Sequence, residues 1–227
     1  LNLANQGGAA VISQWATPWH GLEAVAEWRN VLLGLSVTLL AMTLACQYFM
    51  NNIDDEAIFR RAARRMRTFA VLFVACFVAW LLALVLADGW AVDAAGTVSI
   101  EPYKYLHNLV EMPYVAAALL IGVASVLWSV WLGWRGSRRA VWFGGVGTVL
   151  TVLSLLLLAG WNDTAYYPSL ADMQSSLTIY NSSSSEFTLK AMSIVSLCIP
   201  FVVAYIGYAW WALSRKPQDG SKEELKY

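Results

Sequence analysis

The sequence predicts an all-α fold: a polytopic membrane helix bundle of five transmembrane helices, with the N-terminus outside and the C-terminus cytoplasmic. Three observations predict it. The 227 residues are 59% hydrophobic and only 13% charged, with a mean hydropathy of +0.54, whereas soluble domains carry about a quarter charged residues. Five apolar stretches of about twenty residues, each uncharged at its centre, have the length that a helix needs to cross hydrocarbon. Lysine and arginine collect in alternate connections between those stretches, which is the pattern that fixes orientation in a membrane.

The opening segment, residues 1–30, reads as an outer-side N-terminal segment. It is neither basic nor apolar enough for a signal peptide, and the expectation is a piece of a longer chain. The transmembrane region follows over residues 31–213, with spans at 31–50, 68–87, 113–134, 140–161 and 191–213. The first reads VLLGLSVTLLAMTLACQYFM. The fourth carries WFGGVGTVLTVLSLLLLAGW, whose glycines suit a close helix–helix approach. Pro200 interrupts the fifth span and predicts a kink. Residues 214–227 are read as a cytoplasmic tail.

The connections decide sides. The link after the first span holds Arg60, Arg61, Arg64, Arg65 and Arg67; the link after the third is RGSRR; the tail is equally basic. Together they hold all but Arg29, Lys104 and Lys190 of the fifteen basic residues, which places them in the cytoplasm. The arginine link reads as a topology anchor that also attracts anionic lipid headgroups.

Several function classes are excluded or disfavoured. A formal net charge of zero argues against a nucleic-acid partner. The three cysteines lie in apolar runs without metal-ligand spacing and read as apolar filler. The two histidines, His20 and His107, fall outside the spans, so no pair can face a porphyrin in mid-membrane. No acidic or basic residue sits at a span centre, which weighs against an autonomous ion transporter.

Two outer-side segments are polar. EPYKYLHNLVEMP, residues 101–113, read as a helix, pairs Lys104 with Asn108 and His107 with Glu111 at four-residue spacing, opposite an apolar stripe of Tyr103, Leu106 and Val110. The bland reading is a surface helix lying along the membrane. The sharper one makes Lys104, His107 and Glu111 a patch that contacts quinone or a partner subunit. SSLTIYNSSSSEFTLKAM, residues 175–192, crowds hydroxyls before the last span. One of Ser183, Ser184 or Ser185, with Glu186 or Thr188 just inside, predicts the start of the fifth helix.

That second stretch, with IPFVVAYIGYAWW after it, resembles the C-terminal signature of subunit II of the cytochrome bd-type quinol oxidases. The matching positions are Ser176, Leu177, Thr178, Tyr180, Ser184, Ser185, Thr188, Leu189 and Met192, then Pro200 and Tyr205. YFMNNIDDEAIFRRA and EPYKYLHNLVEMP look like one branch of that family. The family's subunit has about nine spans, and the five here resemble its last five.

The resemblance implies a bacterial plasma-membrane complex of the respiratory chain that oxidises quinol and reduces oxygen to water. It places haems b and d and the quinol-oxidising loop in subunit I, the partner, and makes this chain the haem-free subunit. It admits a bound quinone among these spans. A membrane transporter or channel, or an anchor subunit of another respiratory complex, is the alternative.

Overall fold

A computed structural model describes residues 2–6, 10–14, 18–169 and 172–214. The chain forms two compact units, divided between Ser182 and Ser183. The first contains the helices α1 (Trp28–Asn52), α2 (Glu56–Val85), α3 (Lys104–Glu111), α4 (Pro113–Trp134), α5 (Ala140–Gly160) and α6 (Ile179–Ser182). Two short hairpins accompany them, β1 (Asn2–Gln6) with β2 (Ala10–Gln14) and β3 (Gly89–Val92) with β4 (Val98–Glu101), both antiparallel. The second unit holds α7 (Glu186–Ser196) and α8 (Ile199–Ser214).

Helices α1 and α2 form one antiparallel pair and α4 and α5 another; α1 lies beside α5 and α2 beside α4. The result is a four-helix bundle with an arginine end, where α1 and α4 finish, and an opposite hairpin end. With α7 and α8 counted as one stretch, five helices among the described residues are long and apolar enough to cross a membrane. The protein is a multi-pass membrane protein.

The second helix is longer than the apolar window. It begins at Glu56, capped by Asp55 Oδ1 accepting from the Ile58 amide at 2.8 Å. Its 30 residues rise about 45 Å, beyond the roughly 30 Å of hydrocarbon, so its five arginines ride on helix outside the core. The link of the sequence reading is therefore mostly helix, and only Ile53 to Asp55 turn the chain.

The connection after α4 is a Schellman close. Ser137 N–H donates to the Leu132 carbonyl at 2.9 Å and Gly136 N–H to Gly133 at 3.0 Å. Gly136 takes φ +76°, a conformation that a side chain resists.

The tightest packing joins α4 to α5. A Cβ at Gly147 would stand 2.8 Å from the Val126 amide nitrogen and 2.9 Å from the Gly122 oxygen. Backbone therefore touches backbone, which small residues at helical spacing permit. Buried hydroxyls close on their own helices: Ser36 donates to Leu32 O, Thr43 to Leu39 O, Thr151 to Gly147 O and Ser154 to Leu150 O, each at 2.8 Å. Such bonds satisfy a polar group without needing a neighbour. Of the three cysteines Cys46 is buried, Cys76 half-buried and Cys198 exposed.

Within the second unit, Ser185 is the N-cap of α7, its hydroxyl accepting from Thr188 N–H at 3.4 Å. The predicted kink is a break. Leu197 and Cys198 close on Ile194 and Val195 with tight three-residue turns, and α8 restarts at Ile199. Pro200 then occupies the first turn of α8, where its missing N–H has no helical acceptor to serve.

Candidate functional site

The hairpin end of the bundle gathers most of the polar chemistry. After α2 the chain turns through β3 and β4, joined by a loop in which Asp93 Oδ1 accepts from Ala95 N–H at 3.0 Å and Thr97 N–H at 2.8 Å. Gly96 supplies the positive φ of +80° that the turn requires. The edge of β4 is then closed by one side chain. Gln174 Nε2 donates to the Val98 carbonyl at 2.9 Å, and Val98 N–H donates to Gln174 Oε1 at 3.0 Å. An amide side chain thus replaces a strand partner and blunts an edge that would otherwise be open.

β4 delivers Glu101 to the start of α3. Its Oε1 accepts from His107 Nδ1 at 2.6 Å and its Oε2 lies 3.1 Å from Lys104 Nζ. The His107 hydrogen bond, and behind it Lys104, holds the Glu101 carboxyl below the usual carboxylate range against the opposing pull of desolvation. Burial raises the phenol of Tyr105 on the same helix above its ordinary value.

Helix α3 buries two polar residues beside Leu109 and leaves His107 and Glu111 exposed. Lys104 and Asn108 are buried, whereas Tyr103 and Val110 of the apolar stripe are 49% and 74% exposed. An outward apolar stripe suits a helix lying at a membrane interface.

Asn108, fully buried, is the hub. Its Nδ2 donates to the Leu158 carbonyl at 3.0 Å and to Thr164 Oγ1 at 2.8 Å, and its Oδ1 accepts from Asn162 Nδ2 at 3.1 Å. Asn162 also donates to Glu111. Asn162 and Asp163 both carry positive φ, 58° and 51°, a left-handed turn that asparagine and aspartate tolerate better than other side chains.

The pairings within this segment therefore differ from those that four-residue spacing predicted, and this corrects the sequence reading of them. Lys104 and His107 share Glu101, whereas Glu111 binds Asn162. Helical spacing paired His107 with Glu111 because it could not see the hairpin that brings Glu101 within reach. Lys104 is mostly enclosed, its side chain 8% exposed, and it does not meet Asn108 as a partner.

The serine-rich stretch divides likewise. Buried Ser176 accepts from Ser169 N–H at 3.0 Å and donates to Met173 O at 2.7 Å. Leu177 pairs its backbone with Tyr167 in both directions. Thr178 N–H donates to Asn181 Oδ1 at 2.7 Å, and Asn181 Nδ2 donates to Ser176 O at 2.9 Å. These three motif residues are stitches within the first unit. In the second unit Ser185 and Thr188 form the helix cap, Ser184 is exposed, and Glu186 pairs with Lys190 at 2.6 Å.

Inside the bundle one buried bridge crosses helices. Gln47 Nε2 of α1 donates to the Ser129 carbonyl of α4 at 3.2 Å. Ser129 Oγ lies 2.9 Å from Gln47 Oε1 and 2.8 Å from Ala140 O, with one proton to give to either. Nearer the hairpin end an apolar cavity of about 170 Å³ opens between all four helices, lined by residues such as Leu40, Phe77, Leu81, Val126 and Leu155.

Sequence reasoning missed Glu101, Asn162 and Gln174, and gave Asn108 the wrong partner. The WND turn directly after the fourth span, and an asparagine at the centre of a short amphipathic helix, were the available signals. Neither histidine lies in a span, and His107 Nδ1 is engaged by Glu101, so neither is placed to ligate a porphyrin between the described spans.

Compared with known protein families, the sequence is matched over residues 5–213 by the model of cytochrome bd terminal oxidase subunit II. No curated protein matches it.

Proposed function

The chain belongs to the cytochrome bd terminal oxidase subunit II family, and on that premise we propose that it is the haem-free structural partner of a haem-bearing subunit I. The complex oxidises quinol and reduces oxygen to water, with haems b and d held by the partner. The observation that carries this reading is the placement of the two histidines, both outside the spans and one committed to Glu101. An electron-transfer haem in mid-membrane needs axial ligands there, and the bundle's interior polar groups are instead hydroxyls and one glutamine bonded to helix backbone.

The chain's contribution is a rigid wall. The glycine-mediated contact of α4 with α5 and the Gln47–Ser129 bridge fix the bundle, and the Asn108 hub locks the hairpin-end cap on it. In the bacterial plasma membrane the positive-inside bias puts the arginine end in the cytoplasm and the hairpin end outside. The aromatic side chains at the arginine end support this. Arg135 stands 4.1 Å over the Trp131 ring and Arg67 5.9 Å over Trp134, a pairing suited to a headgroup zone. On the outside, exposed Ser184 and the Ser185–Thr188 cap shape the surface offered to subunit I.

Oxygen uptake tests the reading. Membranes from cells lacking this chain, supplied with a quinol donor, should lose bd-type oxygen consumption and recover it when the chain is restored. Full activity without the chain would refute it.

A further inference from the structure

We propose that the groove between the arginine-end halves of α1 and α2 is a binding site for an anionic phospholipid. Arg61 and Arg65 hold the headgroup phosphate, and Met42, Phe49 and Phe69 floor the acyl chains. The groove encloses about 1220 Å³, more than the roughly 300–1,000 Å³ of sites for drug-sized ligands. Its composition changes along its length. Arg61, Arg65 and Phe69 stand four residues apart on α2, one row on one face, so two guanidiniums lead onto a phenyl ring. Across the groove α1 presents Met42, Cys46 and Phe49. A cationic mouth above an apolar floor matches a molecule with an anionic head and hydrocarbon tails.

The local charge balance leaves these arginines available. Glu56 is taken by Arg60 at 2.8 Å, Asp54 by Arg138 at 2.6 Å, and Asp55 accepts from the Ile58 amide. Arg61, Arg64 and Arg65 have no carboxylate partner among the described residues. A topology anchor needs positive charge on this side of the membrane, but it does not need an apolar groove beneath that charge. Arginine's planar fork donates to two phosphate oxygens at once, a geometry that lysine does not reproduce. The floor selects a lipid over a soluble phosphate.

The test uses the assembled complex in phosphatidylcholine bilayers, with spin-labelled phosphatidylglycerol as probe and spin-labelled phosphatidylcholine as reference. The wild-type complex should hold a motionally restricted phosphatidylglycerol population that raised salt weakens. In R61Q/R65Q the preference for phosphatidylglycerol should fall by up to roughly 30-fold, equivalent to about 2 kcal/mol at ~1 kcal/mol per arginine. R61K/R65K, which keeps the charge but not the bidentate fork, should fall between wild type and the glutamine variant, and haem content should not change. Unchanged preference in the glutamine variant overturns the proposal. So does loss of the haem-bearing subunit with lipid preference intact, which would make the groove a protein contact. Displacement of the label by inorganic phosphate would overturn the role of the floor. Because the readout is not oxygen consumption, a failure of the oxidase reading would leave this result standing.

Discussion

Replacing Asn108 by alanine should loosen the whole hairpin-end cap, and the structure sets the scale of the loss. Leu158 lies in the last turn of α5, where carbonyls have no helical donor, and Asn108 Nδ2 supplies one at 3.0 Å. Both Asn108 and the Leu158 side chain are fully buried, so water cannot easily take over. An orphaned buried acceptor costs about 1–3 kcal/mol, and the lost bonds to Thr164 and Asn162 about 0.5–1.5 kcal/mol each. Asn162 keeps its bond to Glu111, which limits the second loss. The expected destabilisation is about 3 kcal/mol. Asn108→Asp keeps the shape but removes the donor and sets a carboxylate against a carbonyl, so it should be at least as damaging. Thermal unfolding of the purified complex, with amide exchange followed over residues 158–164, measures both. A change in N108A below about 0.5 kcal/mol, with unaltered exchange, would show that α5 ends without Asn108's help.

At the α4–α5 crossing, Gly147→Ala should cost about 1–3 kcal/mol in thermal stability, since its methyl meets backbone that cannot swing aside. Gly145→Ala, with nothing within 4 Å of its Cβ, should be neutral in the same assay. Glu101 carries a pH prediction: its carboxyl is held low chiefly by His107, so its contribution is present above the ordinary carboxylate pKa and disappears as pH falls through the lowered value. Stability against pH should therefore slope less steeply on the acid side in Glu101→Gln than in wild type, and identical slopes would refute the assignment. Ser185→Ala should raise amide exchange in the first turn of α7 by the equivalent of about 1 kcal/mol. The combined S184A/S185A/T188A variant should lower the yield of assembled complex; unchanged yield and haem content would remove that stretch from the subunit contact.

The spans were legible because hydropathy and charge act on one segment at a time. Residues 113–134 and 140–161 correspond to α4 and α5 within a residue. The pairing of His107 was not legible, because Glu101 reaches it through the β3–β4 hairpin rather than along α3. The same holds for Asn108, whose partners lie on α5 and in the following turn. The hairpin itself had a local signal in DAAGT between Val92 and Val98. The Ser185 cap succeeded for the opposite reason, since its partner Thr188 is three residues away.

The central claim concerns who holds the haem, and the two histidines allow a direct measurement. The complex carrying His20→Ala and His107→Gln, purified and compared with wild type by haem absorbance per mole of subunit I, should show the same haem content. A fall in that ratio while subunit I remains bound would contradict the account, because it would place an iron ligand on this chain.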